Sequence, residues 1–166
     1  CDKHNLVLIE DAAHSLESRR NGFSPGQNSD YAAFSFHAAK NLTSGQGGAL
    51  AVRSQDLGNR ARVLRRDGVI NQPDGKRRMI ALGNKFDSTD FQSALLINQL
   101  SHIQKNHKRR KKVYKRYTDS FQDSGIQTIS TVPDSIHSYH LFVILVNPLF
   151  RDQMREALSS AGISTS

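Results

Sequence analysis

Leu6-Val7-Leu8-Ile9-Glu10-Asp11 sets four consecutive apolar residues directly before two acids. A short run without polar alternation is the pattern of a strand covered on both faces, as in a parallel sheet. Working outward, Tyr31 to Phe36 and Gly48-Ala49-Leu50-Ala51-Val52 read as a second and a third strand. Between the first two lies Asn21 to Asp30, rich in Gly, Ser, Asn and Pro, which reads as loop. Ser54 to Arg66 then reads as a polar helix stopped by Gly68, and Val69 to Lys85 as an irregular excursion holding Asn71, Pro73 and Gly75. Strands alternating with helices predict an α/β fold.

The clearest element is a long helix that Ser88 or Thr89 can cap. One of its faces reads Leu96, Leu100, Ile103, His107, Arg110, Tyr114, Tyr117, Phe121, at alternating spacings of four and three. That face is apolar at both ends and polar in the middle. Gly125 ends the pattern. Leu141 to Val146 reads as a further strand and Arg151 to Ala161 as a helix closed by Gly162. A change of domain is expected near Pro133, and no internal repeat is visible.

Composition narrows the class. A chain of 166 residues suits one ordinary domain, and 37% hydrophobic residues argue against global disorder. The longest apolar runs fall far short of the ~20 residues of a membrane span, and no N-terminal stretch has the build of a signal peptide. The single cysteine, Cys1, excludes a disulfide framework within the chain and a Cys-built zinc site. These features read as a soluble, cytoplasmic protein. The ends, five residues before a strand and just after a helix, read as cuts from a longer chain.

The net charge of +8 has one source. Between Lys105 and Arg116, eight of twelve residues are Lys or Arg and none is acidic; the rest of the chain balances 15 basic against 15 acidic residues. With Tyr114 and Tyr117 nearby, this segment could be a nucleic-acid patch. The plainer expectation is the solvated middle of a long helix.

In open α/β sheets, ligands gather beyond the carboxyl ends of the strands. Asp11 follows the first strand, with His14 three residues on; Ser35 lies near the end of the second; Lys40 leads into Thr43-Ser44-Gly45-Gln46-Gly47-Gly48. Taken singly, each has an ordinary reading. An Asp after a strand is often a helix cap, and a loop lysine is usually solvated. The glycine cluster lacks the Gly-Lys-Ser/Thr ending of a phosphate loop. His4, His102, His137 and His140 have no ligand spacing, so no metal is expected.

Taken together, the blocks carry more. Ile9-Glu10-Asp11-Ala12-Ala13-His14-Ser15, then Ala33-Phe34-Ser35-Phe36-His37-Ala38-Ala39-Lys40-Asn41-Leu42-Thr43, then Gly45-Gln46-Gly47-Gly48-Ala49-Leu50 resemble the DegT/DnrJ/StrS family. Leu82 to Leu100, around Thr89-Asp90-Phe91-Gln92, and Ser138-Tyr139-His140-Leu141-Phe142 agree in order. That family comprises pyridoxal-phosphate sugar aminotransferases of the aspartate-aminotransferase fold. The resemblance implies that residues 1–132 form the C-terminal part of the cofactor-binding large domain, mainly parallel sheet with flanking helices and including the long basic helix. Residues 133–166 would open a small α+β domain.

The resemblance also implies roles. Lys40 would hold the pyridoxal 5'-phosphate aldehyde covalently through its amine and later shuttle a proton. Asp11 would pair with the pyridinium nitrogen, His14 would meet the phenolic oxygen, and Ser35 would donate to the phosphate. Lys85, in Gly83-Asn84-Lys85-Phe86-Asp87, would reach the phosphate of a neighbouring subunit in a homodimer. The implied substrates are a nucleotide-linked keto sugar and an amino-acid donor, L-glutamate. A dehydrating branch of the family carries His in place of the lysine, and Lys40 argues against that branch. Glu17 stands where members usually have Gly, Gln46 where Glu is common, and Ser88 where Met is usual. His37 receives no contact. A glycine/threonine phosphate cup, a stacking aromatic ring and a His-Tyr segment are missing, so these 166 residues alone are expected to be inactive. The alternative is a catalytically incomplete module that binds nucleic acid or an acidic partner through the basic helix.

Overall fold

The computed structural model describes residues 1–166 and, apart from position 2, their side chains. The chain runs through β1 (Ile9–Asp11) and a short β2 (Arg19–Arg20) into β3 (Tyr31–Ser35) and β4 (Gly48–Val52). β1 and β3 pair in parallel, Asp11 opposite Ala33; β3 and β4 pair antiparallel, Ser35 opposite Gly48. A Cβ at Gly48 would lie 2.5 Å from the Phe34 carbonyl oxygen, so this ladder end accepts only glycine. The Glu10 carboxylate ties down the loop before β3, accepting from Gly26 N and Ser29 Oγ, both at 2.6 Å.

The first strand departs from its expected form. It starts at Ile9, because Leu8 N donates to the Asp30 carboxylate at 2.8 Å instead of joining a ladder. Leu6, Val7 and Ile9 are 60%, 65% and 67% exposed. The anticipated two-sided cover is absent among the described residues. The buried apolar residues are Ala12, just after β1, Ala32, inside β3, and Leu42, in the loop after β3.

The helix α1 (Gln55–Arg65) starts where Ser54 Oγ accepts from Leu57 N, and it stops before Gly68. Gly68 has φ +70° and sits where a Cβ would be 1.8 Å from the Ala81 carbonyl oxygen. The stretch read as irregular contains a hairpin, β5 (Val69–Asn71) with β6 (Arg77–Met79). Asp74-Gly75 turns it, and that dipeptide is a hairpin signal the sequence reading passed over.

A capping box opens α2 (Asp90–Phe121): Thr89 Oγ1 accepts from Gln92 N, and Gln92 Oε1 accepts from Thr89 N. Its 32 residues span about 48 Å. Leu96, Ile103, His107, Arg110, Tyr114 and Phe121 of the predicted face are half-buried, while Leu100 and Tyr117 are more open. Phe142 packs against Tyr114, Tyr117 and Phe121 at ring distances of 4.9, 5.1 and 6.0 Å. Three short strands follow: β7 (Gln127–Thr128), β8 (Ser135–Ile136) and β9 (Ile144–Leu145). β8 pairs with β2 and β9 with β7, both antiparallel. The strand expected over Leu141 to Val146 is shorter because β7 offers only two residues to pair with. α3 (Arg151–Ser160) ends in a Schellman turn, with Ile163 N on Leu158 O and Gly162 N on Ser159 O. No helix of the described residues is long and apolar enough to cross a membrane.

Candidate active site

Parallel pairing puts the carboxyl ends of β1 and β3 side by side, and the conspicuous residues follow from there. Asp11 is the last residue of β1, and its carboxylate accepts from Ala13 N at 3.1 Å, turning the chain so that His14 follows. Ser35 is the last residue of β3, and its hydroxyl accepts from His37 N at 3.3 Å. Phe36 N donates to Gly47 O at 2.8 Å, and the Phe36 carbonyl accepts from Ser44 N and Thr43 Oγ1, both at 3.0 Å. These bonds close the loop of residues 36–47 at its neck. Within it, Lys40 N donates to His37 O at 2.9 Å and the Lys40 residue is half-buried. Gln99 of α2 clamps the loop from outside, its amide bonded to both the N–H and the carbonyl of Thr43.

Asn41 joins this loop to two distant segments. Its amide donates to Glu17 Oε2 at 2.9 Å and to the Ser138 carbonyl at 3.0 Å, and its Oδ1 accepts from His140 Nδ1 at 3.1 Å. Ser138 Oγ donates to the His14 carbonyl at 2.7 Å, and the His14 and His140 rings meet edge-on at 4.5 Å. Glu17 is ion-paired with Arg110 of α2, and its side chain is only 4% exposed. Burial, then the positive charges of His14, Lys40 and Arg110, hold the His140 imidazole below its ordinary pKa. A neutral ring donating through Nδ1 leaves Nε2 as an acceptor.

The structure therefore brings Asp11, His14, Ser35 and Lys40 to one end of the sheet. Lys85 is held by a different part of the chain. It is exposed and bridged to Arg66 at the end of α1. His37, given no role from sequence, accepts from Ala39 N at 3.2 Å and so shapes the turn before Lys40. Three further residues, Glu17, Asn41 and His140, stand in the site without a role expected from sequence. One signal was available, since the polar break at Arg110 in the α2 stripe requires an acidic partner if it faces inward. A cavity of about 840 Å³ opens beside His14 and His140, between Arg19, Phe23 and Leu141; Asp11, Ser35 and Lys40 do not line it. The other cations between Lys105 and Arg116 are exposed, as a solvated helix face predicts.

The model of the DegT/DnrJ/EryC1/StrS aminotransferase family matches residues 1–166. The chain belongs to this family. A relative from Campylobacter jejuni, the UDP-4-amino-4,6-dideoxy-N-acetyl-beta-L-altrosamine transaminase, is 33% identical over 97% of this chain and 44% of its own length. The aminotransferase TlmJ from Streptoalloteichus hindustanus superposes with a TM-score of 0.93 and 27% identity, over 100% of this chain and 46% of TlmJ. The PLP form of Spr1654 from Streptococcus pneumoniae superposes with a TM-score of 0.87 and 26% identity, over 95% of this chain and 42% of Spr1654. The chain thus spans under half the length of these family members.

Proposed function

We propose that this chain forms the lysine-bearing part of a pyridoxal-phosphate sugar aminotransferase, which moves an amino group from L-glutamate to a nucleotide-linked keto sugar. The observation that carries this reading is the placement of Asp11 and Ser35 at the carboxyl ends of a parallel strand pair, with the loop that holds Lys40 leaving from the second. Family membership, the sugar transaminase from C. jejuni and the PLP form of Spr1654 support it.

The donor set fits the cofactor. An acid suits a ring nitrogen, an amine suits an aldehyde and a hydroxyl suits a phosphate. Lys40 has no carboxylate partner within 4.0 Å among the described residues. Bound pyridoxal phosphate supplies an electron-accepting ring. Asp11 would hold the proton on its nitrogen, and His14 would hydrogen-bond its phenolic oxygen. Ser35 would donate to the phosphate. Lys40 would hold the aldehyde carbon through Nζ and, as the free amine, would carry the proton to and from the substrate carbon. Lys85 serves the neighbouring subunit of a homodimer, in keeping with its exposed place at the end of α1. Residues 1–132 belong to the large domain and 133–166 open the small one.

The test is borohydride reduction of the full-length protein with pyridoxal phosphate, followed by peptide mass analysis. The cofactor mass is expected on the peptide holding Lys40 and is expected to vanish in Lys40→Ala. Cofactor fixed on another residue, or equally retained in the variant, defeats the assignment.

A further inference from the structure

We propose that Glu17 is a positioning residue for Lys40, acting through Asn41. The inference rests on the reading of Lys40 as the amine that binds the cofactor. It assigns a task to a residue that matches no family expectation, since Gly is usual at this place in the blocks described above.

Lys40 and Asn41 are joined by one peptide unit, so whatever fixes Asn41 fixes the root of the lysine side chain. The Asn41 amide is held by three groups from different parts of the chain. They are Glu17 in the segment after β1, the Ser138 carbonyl and the His140 ring. Of these, Glu17 is the charged one, and a hydrogen bond to a charged acceptor is the stronger kind. Its side chain is 4% exposed, and among the described residues its hydrogen bonds go only to Arg110 and Asn41. Glu17 Oε1 and Arg110 Nε have no hydrogen-bond partner, so both donors that reach the acid converge on Oε2. Arg110 reaches it from α2, the helix whose Gln99 also clamps Thr43.

A buried ion pair is weak evidence for stability, because well-packed apolar residues often replace it without loss. The argument for Glu17 is instead geometric: one carboxylate oxygen receives both the α2 guanidinium and the amide beside Lys40. The link thus runs from the long helix to the lysine loop through a single atom.

The experiment uses the full-length protein loaded with pyridoxal phosphate and follows cofactor loss to excess hydroxylamine by absorbance. Glu17→Ala removes the acceptor, and cofactor loss is expected to accelerate about ten-fold or more, the scale of one charge-assisted hydrogen bond. Glu17→Gln keeps an oxygen facing Asn41 and is expected to restore retention to within about three-fold of the wild type. Because Glu17→Ala strands a half-buried guanidinium, Glu17→Ala/Arg110→Leu is measured beside it. This double variant is expected to recover melting temperature but not cofactor retention. Wild-type retention in Glu17→Ala, or its recovery in the double variant, reduces Glu17 to a stabilising partner of Arg110 and overturns the proposal. Borohydride trapping of the wild type separates the two readings. Cofactor found away from Lys40 defeats the functional assignment and this inference with it. Cofactor found on Lys40 with unchanged loss in Glu17→Ala defeats this inference alone.

Discussion

Tyr139 has φ +51°, in the left-handed region that costs a side-chain-bearing residue about 1 kcal/mol. Its neighbours show what that turn achieves: Ser138 reaches the His14 carbonyl on one side, and His140 reaches Asn41 on the other. The Tyr139 N–H donates to His137 Nδ1 at 2.9 Å, and its ring packs against His107, Tyr114 and His137. His137 is held below its ordinary pKa by burial and then by His107, as His140 is by burial and its three cationic neighbours. A depressed imidazole pKa means that the unfolded chain binds more protons than the folded one, so stability rises with pH. The contribution is complete above the unfolded value near ~6.5 and is lost as pH falls through the lower folded values. The melting temperature of the full-length protein is therefore expected to drop between about pH 7.5 and about pH 5, a span of roughly 2.5 units that brackets that pKa. His140→Asn, which keeps a donor toward Asn41, is expected to flatten part of that drop. An equal drop in the variant removes His140 from the account.

At the scale of elements, α2 holds the site from behind. Gln99 grips the Lys40 loop, Arg110 grips Glu17, and Tyr114 and Phe121 seat Phe142. The helix owes its start to Thr89. Removing that cap by Thr89→Ala is expected to destabilise the protein by about 1 kcal/mol, read from denaturant midpoints at constant slope. A change within error indicates that packing alone fixes the helix start. The face of this helix was legible from its spacing, because a 3.6-residue period needs no tertiary information. The reason for its polar centre was not. His107 and Arg110 interrupt the stripe because His107 donates to the His137 carbonyl and Arg110 meets Glu17, and both partners lie far away in sequence. The hairpin β5–β6 was missed although its signal is local, Asp74-Gly75 between Val69–Asn71 and Arg77–Met79.

For the whole molecule, the decisive quantity is surface. The chain exposes 12973 Å², whereas a folded monomer of its mass is expected to expose about 8,200 Å². Much of the excess is apolar: Ile9, Leu82, Phe86, Phe91 and Ile97 are each at least two-thirds exposed. Apolar surface of this extent marks a place where other chain segments or a partner pack. The 166 residues prepared alone are expected to bind a hydrophobic dye strongly and to melt without a sharp transition, whereas the full-length protein melts cooperatively and binds little dye. A sharp, dye-free transition in the short chain overturns this expectation.

What the sequence determined by itself was local and periodic. The strand at Gly48–Val52, the Ser54 and Thr89 caps, the α2 face and the Schellman end at Gly162 follow from residues within a turn or two of each other. The Asp11, Ser35 and Lys40 assignments stood on ordered motifs, each placed at or just after a strand end. Only the tertiary structure decided that Asn41 is held by residues 24 and 97 positions away, that the buried Glu17 has Arg110 as partner, and that β1 lies uncovered on its apolar side. Hydrogen bonds and ion pairs of such range depend on where the backbone returns in space. No spacing rule along one chain encodes that return.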